Sequence, residues 1–220
     1  MTDPAPIRVL IVDDHAVVRM GLKMFFDHQS DIEVVGEAAD GSEGVAMARR
    51  LEPDVVLMDL LMPTMDGVTA IGRIKAERPE IEIVTMTSFI EEEKVTAALE
   101  AGASGYVLKD AEAEEVASAV RAAYAGEVHL DPAVARLLAQ RMRARKSPDE
   151  PAEPLTDREK DVIRLLGQGM SNKEIGAALF ITERTARTYV SNILGKLGLA
   201  SRTQAALYAV EHKLVDPAKS

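Results

Sequence analysis

Two short apolar runs, each ending in aspartate, constrain this chain more than any other feature. Val9-Leu10-Ile11-Val12 leads straight into Asp13-Asp14, and Val55-Val56-Leu57-Met58 leads into Asp59. An unbroken apolar run closed by a turn suits a strand covered on both faces, as in a parallel sheet under helices. Open sheets of that kind bind ligands outside the carboxyl ends of their strands, near the point where strand order reverses. The three acids are therefore expected together at that edge. Three close carboxylates repel one another unless a cation lies among them, and an all-oxygen donor set that retains water suits Mg2+. The pattern points to a site that receives a phosphoryl group rather than one that turns over a small organic substrate.

The rest of residues 1–126 supports such a sheet. Apolar runs predict strands over 7–12, 32–38, 54–58, 81–86 and 105–108, with helical patterns near 16–28, 42–51, 67–77, 91–101 and 112–125. Five β–α repeats predict an α/β, doubly wound, five-stranded parallel sheet with helices on both faces. A connector spans 127–154. In it, residues 131–145 read as a helix with Asp131 at the N-cap and Pro132 at the first helical position. The proline-rich, charged stretch KSPDEPAEP that follows reads as a stiff, solvated linker.

Residues 155–220 predict an all-α domain of four short helices. Thr156 with Glu159, Ser171 with Glu174, and Ser201 with Gln204 each have capping-box spacing, and Gly169 and Gly198 suit helix ends. Only Phe180-Ile181-Thr182 separates the second helix from the third, the spacing of a helix-turn-helix. Charge follows the same division. Residues 1–126 hold 11 Lys and Arg against 24 Asp and Glu, whereas residues 155–220 hold 10 against 7. An acidic front and a mildly basic back suit two domains with different partners.

Composition excludes several classes. There is no cysteine, so disulfides, thiolate metal sites and thiol nucleophiles are ruled out. No apolar stretch approaches the roughly 18 residues of a membrane span, and the N-terminus lacks a basic-then-apolar signal pattern. A cytoplasmic protein without membrane association is the expectation.

Two further residues end strands beside the acids: Thr87 after Ile83-Val84-Thr85-Met86, and Lys109 after Tyr106-Val107-Leu108. With Asp13, Asp14 and Asp59 they give residues 7–126 a resemblance to a response-regulator receiver domain. The resemblance implies that Asp59 is the phosphoacceptor. It implies a Mg2+ seat made by Asp13, Asp14, Asp59 and the Leu61 carbonyl. Lys109 and Thr87 would stabilise the phosphoryl oxygens, and Tyr106 would swing inward when Thr87 moves. Phosphatases of the haloacid-dehalogenase type also phosphorylate a strand-end aspartate, but they need an acid two residues on, where this chain has Leu61. No enzyme activity is expected beyond slow self-dephosphorylation, with apolar Leu61 and Phe89 crowding the attacking water. His15 reads as a helix-start residue.

Residues 155–216 resemble a LuxR-type helix-turn-helix domain through LTDREKDVIRLLGQGMSNKEIGAALFITERTARTYVSNILGKLGLASRTQAAL. Both halves together resemble a NarL/FixJ-family response regulator. On the third helix, Ala186, Val190, Ile193, Leu194 and Leu197 share an inward face. By family position Arg187, Thr188 and Ser191 are the candidates for base edges. Asn172, Lys173, Thr182, Thr185, Asn192, Lys196 and Arg202 are the candidates for phosphates. Ala186, Arg187 and Tyr189 stand where Val, Lys and His are usual, which leaves the inherited base preference open. The resemblance implies a sensor histidine kinase as phosphodonor, double-stranded promoter DNA as target, and a homodimer on activation. A constitutive DNA-binding protein and a phosphorylated adaptor acting by protein contact are the alternatives.

Overall fold

Strands and helices alternate through the first half: β1 (Ile7–Val12), α1 (Ala16–Phe26), β2 (Ile32–Ala38), α2 (Gly41–Leu51), β3 (Val55–Asp59), α3 (Gly67–Glu77), β4 (Glu82–Thr87), α4 (Glu92–Ala101), β5 (Gly105–Leu108) and α5 (Ala113–Ala125). The structure is a computed structural model that describes residues 5–88, 91–127, 129–136, 155–199, 201–212 and 214–215. The strands pair in parallel in the order β2-β1-β3-β4-β5, continued by a sixth strand, β6 (His129–Leu130).

That sixth strand corrects the five-stranded expectation. Gly126 ends α5 in the left-handed region (φ 71°), and the chain turns back along the free edge of β5. Two residues suffice to pair with Gly105 and Tyr106 and so cover part of the edge. They are too few to leave a periodic signal in the sequence. Asp131 then caps a helical segment that starts at Pro132, its Oδ1 accepting from the Ala133 amide at 2.7 Å. The remainder of the predicted connector helix and the linker lie outside the described residues.

The apolar runs are buried on both faces because successive side chains point to opposite sides of the sheet. Leu10, Val12, Val56 and Met58 pack one way, with Ile71 and Ile74 of α3 and Val95 and Leu99 of α4. Val9, Ile11, Val55 and Leu57 pack the other way, with Leu22 and Phe26 of α1 and Val116 and Val120 of α5. This is why the two runs lack polar alternation. It also fixes where they stop: the first residue past each run is an acid at the sheet's carboxyl edge.

The second half contains α6 (Asp157–Gly167), α7 (Asn172–Leu179), α8 (Glu183–Leu197) and α9 (Arg202–Glu211). Full capping boxes close at Thr156/Glu159 and Ser171/Glu174. At α9 only half the motif forms. Ser201 accepts from the Gln204 amide, but the Gln204 side chain does not return to Ser201; it donates to the Leu99 carbonyl of α4 at 2.7 Å. Val162, Ile163 and Leu166 of α6, Ile175 of α7, Ala186, Val190 and Ile193 of α8, and Ala205 and Ala209 of α9 form the core. The inward face expected for the third helix is thus observed, with Leu194, Leu197 and Tyr189 at its margin.

Candidate functional site

β1 and β3 lie side by side with Val12 opposite Met58, so the residues that follow them converge. Asp13 and Asp59 are almost wholly buried (0% and 2% exposed), and Asp14 stands at the rim. Donor atoms of Asp13, Asp14, His15 and Asp59 all lie within 4.8 Å of one another. Lys109, one residue past β5, places its ammonium 2.7 Å from Asp13 Oδ2 and 2.7 Å from Asp59 Oδ2. Thr87 ends β4, buried, and its carbonyl accepts from the Lys109 amide at 2.8 Å. The edge therefore gathers Asp13, Asp14, Asp59, Thr87 and Lys109 from four neighbouring strands.

Backbone contacts hold the acids in place. The His15 amide donates to Asp13 Oδ1 at 2.8 Å and the Leu61 amide to Asp59 Oδ1 at 3.2 Å. Arg19, one turn into α1, donates to the Asp13 carbonyl at 2.6 Å and was not singled out in the sequence. Gly67 allows α3 to start directly beneath the phosphoacceptor candidate: a Cβ there would lie 2.1 Å from the Asp59 carbonyl oxygen. His15 begins α1 as expected, but its Nδ1 also enters the acid group, 2.6 Å from Asp14 Oδ1.

The electrostatics follow from burial. Taking Asp59 out of water raises its carboxyl above the usual value of 3.8, although the Lys109 ammonium and the Leu61 amide pull the other way. Lys109 is held above its usual 10.5, because its two carboxylate partners outweigh burial. With every group ionised, the three aspartates and one lysine carry a net charge of −2. Asp13 Oδ2 has the Lys109 ammonium, 2.7 Å away, as its one partner among the described residues. An all-carboxylate group with that residual charge fits a hard divalent cation.

Tyr106 is fully buried, in the core cluster that also holds Ile83, Val95 and Leu99. Burial pushes its phenol up to about 12, with Thr87 beside the hydroxyl working in the opposite direction. Phe89 lies outside the described residues. Leu61 lies two residues past Asp59 and is 42% exposed.

The helical half separates the DNA-contact candidates. Arg187, Thr188, Ser191 and Asn192 are exposed along α8, and Thr182 and Lys173 are exposed at the helix-turn-helix. Thr185 is half-buried beside Thr182, whose Oγ1 accepts from the Thr185 amide at 3.1 Å. Lys196 is engaged with Glu159 at 2.8 Å. Asn172 and Arg202 are buried (5% and 6% exposed) and joined to each other, Arg202 donating to Asn172 Oδ1 at 2.9 Å. In this arrangement neither presents its polar end to solvent.

A parallel α/β fold with a strand-end acid site, followed by a helix-turn-helix domain, defines a receiver joined to a DNA-binding output module. Comparison with known proteins agrees. Residues 9–121 match the family described as response regulator receiver domain, and residues 153–209 match the bacterial regulatory proteins of the luxR family. The transcriptional regulatory protein LiaR of Bacillus subtilis is 50% identical over 210 residues, covering 96% of this chain and all of LiaR. The response regulator protein VraR of Staphylococcus aureus is 47% identical over 209 residues, covering 95% of this chain and 99% of VraR. A structure of two RcsB dimers bound to two parallel DNAs superposes with a TM-score of 0.56 at 26% identity, covering 93% of this chain and 98% of that one. The chain belongs to the response regulators that carry a receiver domain and a LuxR-type DNA-binding domain.

Proposed function

We propose that this chain is a transcription regulator switched by phosphorylation of Asp59, and that phosphorylation promotes its binding to promoter DNA as a homodimer. The observation that carries the reading is the Lys109 ammonium set 2.7 Å from each of two buried carboxylates, at the edge where Thr87 also ends. A sensor histidine kinase is the donor. An Asp59 oxygen forms the new bond to phosphorus while the bond to the kinase's imidazole nitrogen breaks. Lys109 is positioned to take up charge on the phosphoryl oxygens, and Thr87 to donate a hydrogen bond to one of them. Asp13, Asp14, Asp59 and the Leu61 carbonyl would hold Mg2+, which when bound offsets negative charge at the site.

No turnover of a separate substrate is assigned; the product is the modified protein, lost again by slow hydrolysis. Phosphorylation adds roughly −1.5 to −2 charge, which must stabilise one of two states more than the other to act as a signal. On the output side, Arg187, Thr188 and Ser191 share the open face of α8 and are suited to base edges. Lys173, Thr182, Thr185 and Asn192 flank it and suit phosphates, as do Lys196, Asn172 and Arg202 once their present partners release them. The RcsB dimers on DNA support dimeric binding here. No described helix is long and apolar enough to cross a membrane, in keeping with action in the cytoplasm. The test is sequence selection from a random duplex library, with and without beryllofluoride. Enrichment of one two-fold motif by the treated chain supports the reading, and no enrichment in either state refutes it.

A further inference from the structure

The register of β2 against β1 decides which side chain meets α1 beside the acid site. Val9 pairs with Val34 but Leu10 pairs with Gly36, so β2 carries one extra residue, Val35, at that point. Without it Glu37 would stand opposite Val12, on the face that α2 and α3 cover. With it Glu37 stands opposite Ile11, on the face that α1 and α5 cover. An extra residue in an edge strand re-aims the side chains beyond it in this way. The contacts agree. A Cβ on Gly36 would meet Met47 and Leu51 of α2, on the opposite face, at 2.6 and 2.7 Å. Glu37 Oε2 lies 3.7 Å from Nε of Arg19 in α1. Lys23 of α1, held above its usual 10.5 chiefly by Asp27, also feels the Glu37 charge.

Arg19 passes this anchorage on to the acids. Its side chain is 18% exposed, and its Nη1 donates to the Asp13 carbonyl at 2.6 Å. That oxygen belongs to the peptide joining Asp13 to Asp14. The peptide is planar, so fixing its oxygen fixes ψ of Asp13 and φ of Asp14 together, and with them the directions in which both side chains leave. The Asp13 amide is held separately by the Ala38 carbonyl of β2 at 3.1 Å, and its Oδ1 by the His15 amide at 2.8 Å. One acid is thereby turned inward and its neighbour left at the rim.

We propose that Arg19, held by Glu37, is a positioning residue for the divalent cation: it sets the Asp13–Asp14 peptide so that both carboxylates are presented to one ion, with neither Arg19 nor Glu37 touching that ion. The proposal rests on the Mg2+ reading above. Its sign separates it from an effect of charge. A guanidinium beside the site repels a cation, so charge alone makes removal of Arg19 tighten Mg2+ binding. Positioning makes the same removal weaken it.

Arg19→Met keeps a long side chain and a good helix former while removing the donor and the charge. The probe is Mg2+ alone, titrated into the full chain and read from the rise of the receiver's melting midpoint above its value in chelator. Each variant is compared with its own chelator baseline, so a general loss of stability does not imitate a loss of affinity. Arg19→Met is expected to bind Mg2+ about tenfold more weakly than the parent. Arg19→Lys keeps the charge but not the fork that reaches Asp13 and Glu37 together, and should recover only part of the loss. Glu37→Gln should lose less, under about fivefold. Added to Arg19→Met it should cost nothing more, because Glu37 acts through Arg19, whereas a pure charge effect would persist. Amide exchange over 13–16 in chelator should accelerate in Arg19→Met. Mg2+ affinity equal to or tighter than the parent's in Arg19→Met, or unchanged exchange, would overturn the proposal. A parent whose melting midpoint does not respond to Mg2+ would bring down the metal reading itself, a result distinct from a responsive parent matched by its variant.

Discussion

Lys109→Gln tests the electrostatic reasoning at the site. The substitution removes the one cation from a group of three aspartates, two of them buried and each 2.7 Å from the lost ammonium. Removing one partner of a buried ion pair costs about 3–5 kcal/mol. The Lys109 side chain keeps 12% exposure, so the lower end, about 3 kcal/mol, is expected for the metal-free receiver at neutral pH. The loss has a definite pH dependence. Burial holds the Asp59 carboxyl above 3.8, so the folded state binds that proton better than the unfolded state does. Its protonation therefore favours the fold. That contribution is complete below 3.8 and vanishes as pH rises through the raised value. The deficit of Lys109→Gln should shrink on mild acidification, and added Mg2+ should recover much of it at neutral pH by mass action. Urea unfolding of the full chain, following the receiver transition by circular dichroism with chelator or with Mg2+, measures all three effects. Adding Asp59→Asn should restore most of the lost stability, because it removes a charge the lysine no longer balances. If Lys109→Gln matched the parent within about 0.5 kcal/mol in chelator at neutral pH, the reasoning from a net charge of −2 would be refuted.

Three other outcomes follow from particular contacts. Gly67→Ala forces a methyl to 2.1 Å from the Asp59 carbonyl, where only backbone can yield, and should cost about 2 kcal/mol or more in a thermal or urea melt. Burial works against ionised Glu159, but Lys196 and Thr156 together hold its carboxyl below the usual 4.5. Its contribution to the helical domain is therefore present above 4.5 and lost as pH falls through the lowered value, and Glu159→Gln should flatten that acid limb of the domain's melting profile. Arg187→Ala should lose about 1–3 kcal/mol of discrimination at one position of the selected motif, read by competition with single-base variants. A discrimination profile unchanged from the parent's at every position would remove Arg187 from the base-reading set.

Much of the fold was legible because the physics behind it is local. Runs such as Val9–Val12 and Val55–Met58 are apolar on every residue only because both sheet faces are covered. Thr156 and Ser171 announced their helices because each cap closes within three residues. The acid site was legible for the same reason: its members sit at strand ends that periodicity had already located. What escaped was set by long-range contact. β6 is two residues long and exists because a free edge lies beside it. Gln204 carries a capping signal, yet its side chain bonds to Leu99, 105 residues away. Asn172 and Arg202 look like phosphate ligands in sequence, yet they are buried, bonded to each other and packed beside Gly126. Arg19 supports the Asp13 carbonyl from the next helix, a role that nothing in its local sequence marks. The full burial of Tyr106 likewise depends on core neighbours such as Ile83, Val95 and Leu99, which its local sequence does not mark.

The most direct test of the whole account is intact-protein mass measurement after incubation with a small phosphodonor such as acetyl phosphate and Mg2+, on the parent and on Asp59→Asn, with duplex binding measured on the same samples. The account predicts one phosphoryl group on the parent, none on the variant, and tighter duplex binding only where the group is present. A parent that gains no phosphoryl group, or that gains one at Asp59 with no change in duplex binding, would contradict it.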